Sequence, residues 1–292
     1  MRRTTRDLPL NLVARLVRSA LQEDLGAGDL TSRLVVPHGM QARGTITAGR
    51  PLVLAGLEPA RLAFLQTDPQ AAFPCASDAG ATIAAGGIVL EVEGSAAAIL
   101  AAERTALNFL ARLSGIATWT RRFVEAVEGT GAEVYDTRKT TPGLRLLEKE
   151  AVALGGGRSH RMGLHDAVLI KDNHLACSGG VGAAVRLART GSGPGIVIEV
   201  EVETIEQLEE AVQAGADILL LDNMSSEMVA EAVRRVRGRA RIEVSGGITL
   251  ENIHSFARAG VDRISVGALT HSAPAADVSL SLLPIEGPGA GR

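Results

Sequence analysis

Residues 196–223 read IVIEVEVETIEQLEEAVQAGADILLLDN. An apolar, β-branched run at Ile196–Val202 gives way to a helix-period segment at Ile205–Ala214, and a second apolar run follows at Asp217–Leu221. The connection has room for a helix, so the two strands are expected to run parallel. Glu199, Glu201 and Glu203 share one face of the first strand, and Val200 and Val202 share the other. Three like charges on one face of an internal strand are costly unless cations or a metal meet at least one of them.

The same unit recurs on both sides of this stretch. Strand-like runs occur at Glu133–Thr137, Ala167–Lys171, Arg241–Val244 and Arg263–Val266, with helix-period segments at Leu144–Leu154, Gly182–Ala188, Ser226–Val236 and Leu250–Ala259. The later repeats fall about 22 residues apart, judged by Glu201, Asp222, Ser245 and Gly267. Each strand ends in polar residues or glycine: Arg138-Lys139, Lys171-Asp172, Glu201, Asp222-Asn223, Ser245-Gly246-Gly247, Gly267-Ala268. Ordinary turns would explain the Gly and Asn, but not Lys, Arg and Glu at the ends of strands buried on both faces. The pattern predicts a TIM-like α/β barrel whose chemistry collects at the carboxyl ends of its strands.

Before residue 95 the texture differs, with short β-like runs at Arg43–Ala48, Pro51–Ala55 and Ile88–Val92 among Gly and Pro. Two helices are expected at Ala96–Leu113 and Thr118–Glu128, separated by Ser114-Gly115. A net charge of -3 argues against a general polyanion binder, and aromatics at 2% leave few stacking platforms for nucleic-acid bases. Cys75 and Cys177 are too few and too far apart for a disulfide framework or a zinc site, so buried thiols are expected. The charged start at Arg2, Arg3, Arg6 and Asp7 has no apolar signal-peptide core, and no run is long enough to span a membrane; a cytoplasmic chain is expected.

Charge is concentrated in one region. From Arg138 to Lys171 there are seven Lys or Arg against three acids, a local +4 among Gly, Thr and His. This points to a pocket for a strongly anionic small molecule. His160 and Arg161 follow Gly155-Gly156-Gly157, and His160 is expected to donate a hydrogen bond to that anion; His38 and His254 carry no such context. Ser245-Gly246-Gly247 and Gly267-Ala268 close the last two strands, where barrel enzymes often hold a phosphate. Glu201 and Asp222, on adjacent strands, could hold Mg²⁺ through oxygen ligands and waters, or pair with Lys171, Arg138 or Arg161. Arg104 and Asn108 share a helix face that carries no message alone.

Taken together, EDLGAGD (23–29), ERTALNFLARLSGIAT (103–118), DTRKTTPGLR (136–145), GGGRSHRMGL (155–164), LIKDNH (169–174), EVEVET (199–204), LLLDNM (219–224), SGGIT (245–249) and VGALTHSAPA (266–275) resemble quinolinate phosphoribosyltransferase, the carboxylating nicotinate-nucleotide pyrophosphorylase family of NAD biosynthesis. The resemblance implies an open six-stranded α/β barrel with an N-terminal α/β sandwich domain. The expected division is residues 1–114 for the sandwich and 115–272 for the barrel, with 273–292 packing back on the former. It implies transfer of a phosphoribosyl group from 5-phosphoribosyl 1-pyrophosphate to quinolinate with decarboxylation, supported by Mg²⁺, in a homodimer or larger homo-oligomer.

By the same resemblance Arg138, His160, Arg161 and Lys171 contact the quinolinate carboxylates, with Arg104 reaching in from the partner subunit. Glu201 and Asp222 match acids near Mg²⁺ and ribose, and Lys171, Glu201 and Asp222 form the expected catalytic group. Ser245, Gly246, Gly247, Gly267 and Ala268 match the 5′-phosphate loops, while Lys139 and His271 match residues near the phosphates. Glu150, Ser159 and His165 stand where the family usually has an aromatic residue, Asn, and Tyr or Phe, which touches local packing more than activity. Alternatives are a paralogue associated with molybdate-transport operons and a barrel lyase using Lys171 as a Schiff-base nucleophile.

Overall fold

The computed structural model describes residues 9–193 and 195–285. The chain divides into two units. The first holds the described residues within Met1–Trp119, Glu150–Gly155 and Ala273–Arg292; the second holds those within Thr120–Lys149 and Gly156–Ser272.

In the first unit, α1 (Leu10–Leu25) buries Val13, Val17 and Leu21, a stripe at helical spacing, and ends at Gly26. Helix α2 (Leu30–Val35) is capped by Asp29, whose carboxylate accepts the Ser32 N–H. Strand β1 (Gln41–Ala48) buries every second residue. Strands β2 (Leu52–Val53) and β3 (Thr82–Ile83) make a short antiparallel pair, with α3 (Leu57–Thr67) between them in sequence. Strands β4 (Ile88–Ser95) and β11 (Val278–Pro284) flank β1 on either side, both antiparallel to it.

Helix α4 (Ala96–Ala126) runs without a break through Ser114-Gly115, where two helices were expected. The pair is a close-contact point. Ser114 Oγ accepts the Ala55 N–H at 3.0 Å and donates to its carbonyl at 2.9 Å. A Cβ on Gly115 would lie 2.1 Å from the Pro274 carbonyl oxygen. Small residues were selected for what passes beside the helix, and nothing in them stops it.

The second unit holds β5 (Glu133–Tyr135), β6 (Val168–Ile170), β7 (Ile198–Val202), β8 (Ile218–Asp222), β9 (Arg241–Ser245) and β10 (Arg263–Ser265). They form one parallel sheet in the order β5-β10-β9-β8-β7-β6. A bridge from Tyr135 to Arg158 extends the β5 edge, and among the described residues no ladder joins β6 back to β5. The barrel is therefore open.

Helices α5 (Arg145–Leu154), α6 (Asp172–Ser178), α7 (Val181–Gly191), α8 (Ile205–Gln213), α9 (Ser226–Val236), α10 (Ile253–Arg258) and α11 (Ala268–His271) follow the strands in turn. The sequence periods do not announce α2, α3, α6, α11, β3 or β11. Val200, Val202, Leu219, Leu221, Ile242, Val244 and Ile264, alternating along the strands, are all buried. Each such side chain contributes about 1.5–3 kcal/mol on leaving water. Buried stripes such as Leu208 and Ala211 on α8 and Val229, Ala232 and Val236 on α9 supply matching helical faces.

Both cysteines are exposed, against the expectation of buried thiols. No helix among the described residues is long and apolar enough to cross a membrane. Of the 273–292 segment expected to pack back on the sandwich domain, residues 286–292 lie outside the described residues.

Candidate active site

Several residues facing the barrel interior are polar, beside the apolar Leu169, Ile218 and Leu220 in register with them. Glu199 and Glu201 on β7, Glu243 on β9 and Ser265 on β10 are all buried. His160 Nε2 lies 3.0 Å from Glu199 Oε2 and 3.4 Å from Glu243 Oε1, and Ser265 Oγ donates to Glu243. Arg263 lies 3.7 Å from the other Glu243 oxygen and stacks over the Tyr135 ring at 4.8 Å.

Both nitrogens of the His160 ring are engaged, because Nδ1 accepts the Arg161 N–H at 2.8 Å. In this arrangement the ring supports its neighbours and offers no free N–H to a ligand, which departs from the expected hydrogen bond to the anion. Burial lowers the His160 pKa, but the hydrogen bonds to Glu199 and Glu243 outweigh it and push it up to about 9. A second ring proton would have to sit on Nδ1, against the Arg161 amide hydrogen. The Nδ1 contact fixes the tautomer with its proton on Nε2, aimed at Glu199 and Glu243, and burial pushes the Glu199 carboxyl up.

His160, Glu199 and Glu243 also have the separations of a metal site, with one ligand atom from each within 4.8 Å of the others. The same tautomer speaks against that use, since a metal needs a bare Nε2.

The mouth of the barrel collects most of the expected residues. Lys171 Nζ pairs with Glu201 Oε2 at 2.7 Å. Asp222 accepts from Ser245 Oγ at 2.8 Å and from Asn223 Nδ2 at 2.7 Å. Asn223 takes a left-handed backbone (φ 54°), and a Cβ on Gly246 would fall 2.1 Å from its Oδ1, so only glycine fits beside it. A Cβ on Gly267 would meet His271 Nε2 at 3.0 Å and Lys139 Cδ at 3.2 Å, which brings Lys139, Gly267 and His271 together beside Ala268. Gly247 follows Gly246 in the same turn, also at positive φ.

Arg138 and Arg161 stand apart from the other cations. Neither forms an ion pair among the described residues, and the Nε of each is buried without a hydrogen-bond partner. Burial and the nearby Arg138 guanidinium hold Arg161 below its usual pKa. Both residues are half-buried, and Arg161 spends one donor, Nη1, on the Ala167 carbonyl at 3.3 Å; two neighbouring guanidinium groups with a buried, unpartnered Nε each call for an anion.

The rest of the basic cluster divides. Lys149 is buried against Asp136 and donates to the His160 carbonyl at 3.2 Å. Burial raises the Asp136 pKa and lowers that of Lys149 despite their contact. Arg158 turns to Glu133 at 2.7 Å, at the amino end of β5. Arg145 is taken up by loop backbone. Of the seven cations between Arg138 and Lys171, these three hold the frame.

Glu243, Arg263 and the Asp136–Lys149 pair were missed in the sequence. Glu243 had a signal, a charge at an inward position of a buried strand, the same logic that exposed Glu199. Two clefts of about 610 and 550 Å³ lie at the amino ends of the strands, lined by Glu133 and Arg158 and by Asp217, Arg241 and Asp262 respectively; neither holds the mouth residues.

Arg104 is exposed on α4 in the first unit. Ser159 is exposed, with its hydroxyl 3.4 Å from Asp136, and His165 is exposed as well.

Glu201 and Asp222 fit the donor type Mg²⁺ prefers. They offer carboxylate oxygens near the carboxyl ends of adjacent strands, and each contact they make leaves lone pairs available.

Comparison with known proteins identifies the family. Residues 29–114 match the model for the quinolinate phosphoribosyl transferase N-terminal domain, and residues 116–281 match that for its C-terminal domain. The chain is 41% identical over 268 residues to a probable nicotinate-nucleotide pyrophosphorylase [carboxylating] of Bacillus subtilis (strain 168), covering 92% of each. It is 43% identical over 273 residues to the corresponding protein of Mycobacterium leprae (strain TN), covering 91% of this chain and 95% of that one. The crystal structure of NadC from Streptococcus pyogenes superposes with a TM-score of 0.91 at 41% identity, covering 96% of this chain and 99% of that one. Matched in both domains and along nearly its whole length, the chain belongs to the quinolinate phosphoribosyltransferase family.

Proposed function

We propose that this enzyme transfers the phosphoribosyl group of 5-phosphoribosyl 1-pyrophosphate to quinolinate and releases pyrophosphate, CO₂ and nicotinate mononucleotide. The observation that carries the reading is the pair of neighbouring guanidinium groups at Arg138 and Arg161, each with a buried Nε that has no hydrogen-bond partner and neither in an ion pair among the described residues. Planar forks of this kind suit two adjacent carboxylates on one ring. Lys171 adds a third cation beside Glu201.

The ring nitrogen forms a bond to ribose C1 as the C1–oxygen bond breaks, and pyrophosphate leaves with the electron pair. Glu201 and Asp222 stabilise the positive charge that develops on the sugar. The quaternary nitrogen then accepts charge as the C2–carboxylate bond breaks, CO₂ departs and C2 takes up a proton. Ser245, Gly246, Gly247, Gly267 and Ala268 offer backbone to the 5′-phosphate, with Lys139 and His271 close to the phosphate groups. Mg²⁺, held by Glu201 and Asp222 directly or through water, would offset the charge of the leaving pyrophosphate.

A Schiff-base lyase is disfavoured because Lys171 Nζ is engaged by Glu201 at 2.7 Å and is not free to attack a carbonyl. The relatives above, named as nicotinate-nucleotide pyrophosphorylases [carboxylating], favour the quinolinate reaction over a molybdate-operon paralogue. The reading extends to a cytoplasmic homodimer or larger assembly in which Arg104 of one protomer completes the clamp of the other.

The test is product formation with Mg²⁺ and either quinolinate or nicotinate as acceptor. Quinolinate alone should yield nicotinate mononucleotide and CO₂. Arg138→Ala should lower kcat/KM by about 100-fold or more with the fold intact, the loss of a bidentate charge-assisted contact. Turnover of nicotinate, or near-normal activity of the variant, would sink the dianion clamp.

A further inference from the structure

Arg145 opens α5 and counts among the cations of the basic cluster, yet its guanidinium is committed elsewhere. Nε donates to Thr140 Oγ1 at 3.0 Å, Nη1 to the Met162 carbonyl at 3.1 Å and Nη2 to the Arg138 carbonyl at 3.3 Å. These acceptors come from two separate loops. One follows β5 and carries Arg138 and Lys139; the other follows the Arg158 bridge and carries His160 and Arg161. One turn along the same helix, Lys149 holds the His160 carbonyl. The carbonyls on either side of Arg161 are thus both bound to α5. From the same helix, Glu148 accepts the Thr141 N–H at 3.1 Å and its hydroxyl at 2.8 Å.

We propose that Arg145 is a positioning residue that ties the Arg138 loop to the Arg161 loop and so fixes the spacing of the two guanidinium groups that take the substrate's carboxylates. The inference rests on the reading of Arg138 and Arg161 as the dianion clamp. Those two groups repel one another; the charges of Glu199 and Asp166 offset this at Arg161, but no carboxylate of the described protein forms an ion pair with either group. Without a restraint their loops would splay. A single planar guanidinium bonded to both loops opposes this, because its donors are fixed in angle as well as in distance. Lysine would keep the charge but could not meet three acceptors in one plane.

Steady-state kinetics of the full-length enzyme, with each substrate varied in turn, tests the brace in Arg145→Lys, Arg145→Ala and Thr140→Val, with Arg138→Ala alongside. Arg145→Lys should raise the KM for quinolinate about tenfold, since misplacement of a binding group by about 1 Å costs up to about 100-fold. The KM for the phosphoribosyl donor should stay within about twofold, as the clamp does not hold it. Thr140→Val should give a smaller rise that adds little to that of Arg145→Lys, because both remove one shared bond. Millimolar guanidinium ion should restore the quinolinate KM of Arg145→Ala, and sodium at equal ionic strength should not. A wild-type quinolinate KM in both Arg145 variants, with Arg138→Ala inactive, overturns the brace and leaves the clamp standing. An equal rise in both KM values also overturns it, as general loosening. An active Arg138→Ala removes the clamp and the brace with it.

Discussion

Glu150 shows how one side chain can set a pH dependence. Burial, reinforced by the charge of Glu58, raises its pKa from 4.5 to about 7. The folded chain therefore keeps a proton that the unfolded chain gives up, and stability falls as pH rises from about 4.5 to about 7. Glu150→Gln should flatten that slope and stabilise the protein at pH 8 by on the order of 2 kcal/mol, read from denaturant midpoints at pH 5 and pH 8. An unchanged difference between the two pH values would refute the assignment. Residues of this kind were legible in the sequence only in part. Glu199 and Glu201 could be read because strand parity puts them inside, where charge needs a reason. The direction of the His160 ring could not, since it depends on Glu199 and Glu243 from two distant strands and on one backbone N–H.

Strand–helix alternation was readable because the barrel elements obey two simple periods, with apolar residues turned outward along the strands and helix stripes to cover them. Tertiary contacts set what the periods did not. Strand β11 pairs with β1 across most of the chain's length, and no local pattern announces that ladder. The Ser114-Gly115 pair in α4 looked like a break because glycine lowers helix propensity, whereas its cause is the carbonyl of Pro274 passing alongside. Gly115→Val should therefore destabilise the protein by about 3 kcal/mol or more, although valine is the better helix former. A melting temperature equal to or above that of the wild type would show that the helix, and not the contact, decides the residue.

For the whole molecule the proposed dimer makes a numerical prediction. Arg104→Ala and Arg138→Ala subunits, each inactive alone, should complement one another when mixed. Random pairing makes about half the dimers mixed, and one of the two sites in each is intact, so about a quarter of wild-type activity should return. No recovery after verified subunit exchange would place Arg104 in its own protomer's site or in none. Another consequence follows from Arg138 and Arg161. Among the described residues neither forms an ion pair with a carboxylate, so under the proposed function the substrate supplies a part of the protein's electrostatic structure. Recognition and folding are then one equilibrium seen from two sides. Whatever dianion the clamp accepts must also raise the melting temperature, in proportion to how well its two charges replace the counterions the chain omits.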